Sequence, residues 1–318
     1  MASKVFSFII IIIFIGIIVY TGYFLYLNIP RAPEKLEVNV PILQETHEQE
    51  VFEIKQFYSN MKFNHNKISY FIDNNCNSVK RNRMIHAFEG LEEKVSIISF
   101  YEKKENHDIL VSCSENIQER ELEEKHFVAG EGGAKTIIPT GRYNIINDGV
   151  ILLYDNNEIK IVECEYPNVE LHELMHVLGF EHSNNKKSLM YPFIESCDQI
   201  LDDSIVEQLK KIYSQSNLAD LYFENVNLIK KGRYLDFDIT IKNSGSVDSD
   251  DVIITILDDD KIVDENNIGK IKFGAGITLE TQNFKLINLN PEKISFVIDK
   301  ENKIKEIDEK NNIANVEL

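Results

Sequence analysis

The sequence predicts one membrane-spanning helix followed by two folded domains. The first is α+β with a mostly parallel sheet, and the second is all-β. Three observations carry this reading. Residues Val5 to Leu27, "VFSFIIIIIFIGIIVYTGYFLYL", contain no charged side chain, and about 20 apolar residues of helix cross a hydrocarbon core. Between residues 67 and 215, strand-like and helix-like runs alternate, as in βαβ units. From about Ala219 the texture changes to short period-two strands separated by Gly, Asn and Asp, the signature of a sandwich. A chain of 318 residues has room for both domains.

The elements follow in order. Residues 1–4 are a short tail, and 5–27 are the span. Tyr20, Tyr23 and Tyr26 crowd its C-terminal end, as in an interfacial aromatic belt. A cleavable signal peptide has a shorter apolar core and ends in small residues; here the run ends "YLNIPRAPEK", so an uncleaved anchor is expected. Lys4 on one side and Arg31 and Lys35 on the other leave the positive-inside count nearly balanced. Residues 28–44 hold three of the seven prolines and read as an extended linker.

The first domain is placed at 45–217. "KISYFID" (67–73) is a β-branched and aromatic strand. Residues 77–95 read as a helix with Val79, Arg83, Ile85, Phe88 and Leu91 at helical spacing and Asn77 or Ser78 as cap. "SIISFYE" (96–102) and "HDILVSCS" (107–114) are two further strands. A polar stretch around 116–126 leads to "AGEGGAKTIIPTG", where Pro139 marks an edge strand. "GVILLYD" (149–155) is the most hydrophobic strand of the region. Pro167 and Asn168 start a helix. A last helix, 202–215, has Asp203 or Ser204 as cap and Ile205, Leu209 and Ile212 on one face.

The second domain is placed at 218–318. "YLDFDITIKN" alternates Leu235, Phe237, Ile239 and Ile241 with polar residues. "VIITILDDD", "NIGKIKF", "GITLETQNF" and "KISFVID" repeat the pattern, and a final strand covers Ile313 to Leu318.

Charge narrows the partners. With 52 acidic against 34 basic side chains, the net charge is −18. Phosphate binding needs Lys/Arg surfaces, so nucleic acid is excluded. The four cysteines, Cys76, Cys113, Cys164 and Cys197, all follow the span. None has Cys-x-x-Cys spacing, and an even number in an exported region permits two disulfides in any of three connectivities. Free thiols in a cytosolic domain are the alternative.

The chemistry sits in "LHELMHVLGFEHS", residues 171–183. His172 and His176 are four apart, on one face of a helix, where both imidazoles reach one ion. Zinc takes a tetrahedral set with one position kept for water. His182 supplies a third nitrogen only if the chain turns, and Gly179 stands where a positive φ makes that turn. Glu173 lies beside His172 on the side of the water, placed to take its proton and return it to a leaving amine. Leu174, Val177 and Leu178 are core residues of the same helix. An amphipathic helix with solvated histidines does not account for Glu173, Gly179 and His182 at these offsets.

"HELMHVLGFEH" followed by "SLMYP" resembles the metzincin metalloproteases, with Met190 in the place of the Met-turn methionine. Ser183 after the third histidine and Met190-Tyr191-Pro192 are similar to the matrixins (peptidase M10 type). The resemblance implies a metzincin-type fold with a mostly parallel, twisted five-stranded sheet. It implies one catalytic zinc ion on His172, His176 and His182, Glu173 as general base for the zinc-bound water, and a protein or peptide substrate. No "PRCGxPD" switch is present. The His- and Asp-rich segment that holds structural zinc and calcium in vertebrate matrixins is replaced by "HFVAGEGGAKTIIPTG", which leaves calcium open. In this fold the first and third strands are adjacent, which implies Cys76–Cys113, and Cys164–Cys197 with it. The edge strand over the zinc pairs with substrate, and its seat here is Gly133, Ala134, Lys135, Thr136 and Ile137, as far as Pro139.

"DFDITIKNSGS" and the C-terminal "VIDKENKIKEIDEKNNIANVEL" resemble the CARDB domain, an Ig-like module of bacterial and archaeal surface proteins. The matching residues are Asn243, Ser244 and Gly245, then Asp299, Glu306, Asp308, Glu309, Asn311 and Asn312. The last group reads as solvated turn carboxylates rather than a calcium site. The resemblance implies a surface partner. Together these point to a single-pass, membrane-anchored zinc endopeptidase with an extracellular catalytic domain. The alternatives are a surface adhesion protein with a catalytically silent protease fold, against which an intact Glu173 speaks, and a protease facing inward.

Overall fold

Helix α1 runs from Ala2 to Asn28, and Phe8–Asn28 is long and apolar enough to cross a membrane. The computed structural model describes residues 2–41, 54–114, 129–154 and 164–318; the expected boundary at 44/45 and the polar run 116–126 lie outside them. The chain divides into two units. One lies within 45–219 together with 244–247, and the other comprises the N-terminal segment to residue 44, 220–243 and 248–318.

Strand β1 (Glu34–Leu36) departs from the linker expected at 28–44. It pairs antiparallel with β8 (Leu221–Lys231), in register Glu34↔Lys230 and Leu36↔Leu228. Asn39 then bridges to Asn315. A bare sheet edge exposes N–H and C=O groups that call for partners, and three residues with a buried Leu36 suffice to cover this one.

The first unit is a mixed α/β layer structure. Its strands are β2 (Met61–Phe63), β3 (Lys67–Ile72), β4 (Ser99–Glu102), β5 (Ile109–Ser114), β6 (Gly130–Pro139) and β7 (Asn144–Tyr154). The order is β2-β7-β5-β3-β4, all parallel, with β6 antiparallel along β7. The five strands anticipated from sequence are joined by the three-residue β2. Strands β3 and β5 are neighbours, and disulfides join Cys76 to Cys113 and Cys164 to Cys197.

Helix α2 (Ser78–Val95) is capped by Asn77, whose side chain accepts from the Lys80 N–H at 2.9 Å. It buries Met84, Ala87, Phe88, Leu91 and Val95, whereas Val79 stays exposed. Ser96 ends it at φ 57°, and so the strand expected from residue 96 starts only at Ser99. Helices α3 (Asn168–Val177) and α4 (Asp203–Ser214) complete the unit. Neither Asp203 nor Ser204 caps α4. Asp202 holds the cap position, and its carboxylate accepts from Ser188 Oγ at 2.5 Å instead.

The second unit is a sandwich of two antiparallel sheets. Its further strands are β9 (Tyr234–Asn243), β10 (Asp251–Asp258), β11 (Lys261–Lys270), β12 (Gly276–Lys285), β13 (Lys293–Ile298) and β14 (Ile313–Glu317). The sheets run β1-β8-β9-β12 and β11-β10-β13-β14. They meet at Phe237 against Phe296, ring centroids 5.3 Å apart. β11 begins and ends earlier than the run 267–273 suggested. β8 was not legible, because a bulge between Phe223 and Asn225 flips its phase. Leu221 and Phe223 are therefore buried on odd positions, Val226 and Leu228 on even ones.

The acidic turn before β14 also departs from expectation. Glu306, Asn311 and Asn312 are buried, not solvated. Glu306 accepts from the Leu221 N–H at 2.5 Å and from Asn312 Nδ2 at 2.8 Å, and Asp220 accepts from the Asp308 N–H at 3.1 Å. Glu306 thereby satisfies the Leu221 N–H at the start of β8, and Asp220 an N–H within the turn.

Candidate metal centre

Helix α3 is held from both ends. At its start, Arg83 of α2 reaches Glu170 with two N–H donors, at 2.9 and 3.2 Å, and donates a third to the Cys164 carbonyl at 2.7 Å. At its end, Gly179 takes φ +91°, and an added Cβ there would lie 2.5 Å from Met61 Sδ. Only glycine fits both the dihedral and the space. The segment before β2 fixes this turn. The Phe57 N–H donates to the Gly179 carbonyl at 2.8 Å and the Glu181 N–H to the Lys55 carbonyl at 2.9 Å. Buried Gln56 donates to the carbonyls of Met61 and Leu178.

The turn brings three histidines together. The Nε2 atoms of His172 and His176 are 3.0 Å apart, those of His176 and His182 3.1 Å, and those of His172 and His182 3.3 Å. His172 Nδ1 donates to the Leu189 carbonyl at 2.7 Å, and His176 Nδ1 to the Phe180 carbonyl at 2.8 Å. A carbonyl only accepts, so each Nδ1 carries the hydrogen and each neutral ring turns a bare Nε2 inward. No proton lies between His172 and His176 to bond them. Their close approach leaves lone pairs converging on one point, which is the donor set of a cation. Four ligands at about 2.0–2.1 Å in a tetrahedron stand about 3.3 Å apart, so these separations fit zinc.

Burial keeps the imidazoles neutral. It pushes His172 down to about 4, with His176 and His182 adding to the effect and the Leu189 carbonyl opposing it. Burial lowers His176 and His182 as well.

Glu173 is also buried, against β6. A Cβ on Gly132 would stand 2.2 Å from the Glu173 carbonyl oxygen, and one on Gly130 would stand 2.8 Å from its Cγ. The glycines let strand and helix touch. Burial pushes the Glu173 carboxyl up to about 8; the Gly132 N–H works against this, and Glu131 and Glu170 reinforce it.

Met190 is fully buried, its N–H on Ser188 Oγ at 3.0 Å and its carbonyl accepting from the Ser183 N–H at 2.8 Å. The segment of the third histidine is thereby tied to the Met190 turn, and Leu189 of that turn orients the first. Gly133 to Ile137 lie on β6, which among the described residues pairs with β7 along one edge.

Sequence reasoning passed over three residues here. Gly130 and Gly132 make the close approach to Glu173, and their spacing in "AGEGG" was the available signal. Phe57 was missed without any such signal; its half-exposed ring lies 6.2 Å from that of His176.

Residues 62–214 match the matrixin family, and residues 218–316 match the CARDB family. No curated protein matches the chain. Among solved structures, the chain is similar to a domain of a cell surface protein from Methanosarcina acetivorans, with 21% identity over 31% of this chain and 91% of that one and a TM-score of 0.25. It is also similar to a CARDB domain from Pyrococcus furiosus solved in complex with di-metal ions, with 15% identity over 32% and 87% and a TM-score of 0.27.

Proposed function

We propose that this chain, which carries a matrixin domain and a CARDB domain, is a membrane-anchored zinc endopeptidase. The observation that carries the reading is the convergence of three imidazole Nε2 atoms, those of His172 and His176 bare, beside a buried carboxylate. His172, His176 and His182 would hold one zinc ion. When bound, zinc polarises the scissile carbonyl and lowers the pKa of water in its open position.

The chain's own groups do the rest. Leu189 and Phe180 orient two of the ligands through their carbonyls. Glu173 takes a proton from the attacking water at its carboxylate and delivers it to the leaving amine. The edge of β6 away from β7, from Gly133 to Ile137, receives an extended peptide by strand addition, and Pro139 limits how far that pairing runs. Helix α1 anchors the chain. Two disulfides, which take up all four cysteines, support an oxidising, extracellular compartment.

The test is zinc content and hydrolysis of a peptide library by the full chain, beside Glu173→Ala. Stoichiometric zinc in both, with hydrolysis lost in the variant, is expected. Zinc with equal activity in Glu173→Ala ends the mechanism, and no zinc in the wild type ends the site. Protease shaving of intact cells tests the orientation.

A further inference from the structure

The sandwich begins at the membrane. Strand β1 is its edge, and it starts six residues after Asn28, the last residue of α1. Because Glu34 pairs with Lys230 and Leu36 with Leu228, the chain enters at the β8–β9 turn. Arg31 fixes the distance. Its guanidinium lies 5.6 Å over the ring of Tyr26, with Nη2 donating to the Tyr26 hydroxyl at 3.3 Å. Its Cγ is 3.0 Å from the place of a Cβ on Gly232, which turns the hairpin at φ +70°. Three residues of extended chain reach about 11 Å at most, and the Arg31 side chain adds a few ångströms, so the turn stands within about 15 Å of the end of α1.

This turn is cationic in a chain of net charge −18. Lys230, Lys231 and Arg233 flank Gly232, and Lys285 lies opposite Tyr234 in the neighbouring strand. Two carboxylates share this sheet end: Asp236, paired with Lys231, and Glu34, opposite Lys230. The other sheet ends here in Asp259, which accepts from the N–H groups of Glu292 and Lys293, and in Asp260. Lys261 and Lys293 stand at this end of the other sheet too, but among Asp258, Asp259, Asp260, Glu292 and Glu317, so the excess of positive charge lies on the sheet that β1 joins. Arg233 also donates to the carbonyls of Leu286 and Ile287, which holds exposed Ile287 at the same tip.

We infer that the sheet tip formed by Arg31, Lys230, Lys231, Arg233 and Lys285 docks on anionic phospholipid headgroups beside the membrane-spanning helix. Two arguments select lipid over other occupants. The tether leaves the tip within about one Debye length, about 8–10 Å, of the headgroup layer. The charge is complementary to the negative potential of such a surface. Solubility gives no reason to gather cations at one tip of an acidic chain. Anchoring by α1 is the premise of this docking.

The full chain is reconstituted in vesicles of phosphatidylcholine, with and without phosphatidylglycerol. All native cysteines are in disulfides, so Ile287→Cys takes a single fluorophore, and Asp250→Cys takes the control label at the opposite end of the strands. Headgroup-attached quenchers are expected to dim the label at 287 and not at 250, more strongly with anionic lipid, and to release it at high salt. Lys230→Gln and Lys285→Gln are each expected to lower the docked fraction about fivefold relative to the undocked one. Equal quenching at both positions, or quenching indifferent to lipid charge and salt, overturns the docking while leaving the anchor intact. Release of the chain from vesicles by alkaline carbonate overturns the anchor itself.

Discussion

Two of the buried polar clusters among the described residues are built on opposite principles. Around α3, His172, His176 and His182 bring three Nε2 atoms within 3.3 Å of one another, while the Nδ1 hydrogens of His172 and His176 are spent on carbonyls. In the sandwich, Asp220, Glu306 and Glu309 meet N–H donors from Leu221, Glu306, Asp308, Asn311 and Asn312. In the first cluster the Nε2 atoms of His172 and His176 are both acceptors and face each other, an arrangement that a cation completes. The second matches acceptor to donor and needs none, its two unmatched atoms being the amide oxygens of Asn311 and Asn312. A site is thus marked by convergent acceptors with no donor among them, and a count of acidic residues does not mark one.

Metal removal should split the two clusters most widely. Chelation, or His176→Ala in the full chain, is expected to abolish peptide hydrolysis and to lower the melting transition of the matrixin unit. A ligand present at about 100 times its dissociation constant adds about 2.7 kcal/mol, and that contribution disappears. The sandwich transition should not move. Calorimetry that showed both transitions falling together would end the distinction.

Next in size is Gly132→Ala. Its methyl would sit 2.2 Å from the Glu173 carbonyl oxygen, an atom fixed inside α3. Helix and strand must separate, at a cost of about 3 kcal/mol, the upper end of overpacking losses. Hydrolysis should fall with the matrixin transition because Glu173 moves with the helix. Gly133→Ala, which meets nothing within 4 Å, is the matched control and should leave stability nearly unchanged.

How much of this was legible in the sequence depended on whether the information was local. The three histidines, Glu173 and the Gly179 turn are written in eleven consecutive residues, because helix periodicity and one positive φ decide their geometry. Period two exposed β9, where Leu235, Phe237, Ile239 and Ile241 alternate without a break. It concealed β8, where a bulge resets the phase, and β1, whose three residues form a strand only because β8 offers an edge. Phe57 reaches His176 through backbone bonds to Gly179, 122 positions further on, and no local pattern reports such a contact. The acidic turn misled for a related reason. Its composition is that of a solvated loop, and its burial follows from bonds to distant residues, Glu306 to the Leu221 N–H and Asp308 to Asp220.

The last expected effect, nil at acid pH, sharpens the second cluster. Burial, more than anything else, pushes Glu306 up to about 7 from an ordinary 4.5, with Glu309 and Asp220 adding and the Leu221 N–H and Asn312 opposing. A carboxyl raised on folding contributes stability that is fully present below about 4.5 and lost as pH rises through about 7. Glu306→Gln removes the titration. Asn312 can turn its amide so that its unmatched Oδ1 accepts from the new amide, which keeps the local bonds. The variant's sandwich should therefore match the wild type near pH 4 and exceed it by about 3 kcal/mol at pH 8, since one pK unit corresponds to about 1.36 kcal/mol. A constant difference across that range would mean that Glu306 is already charged at the acid end. The cluster would then resemble the histidine centre, held together by something outside the chain.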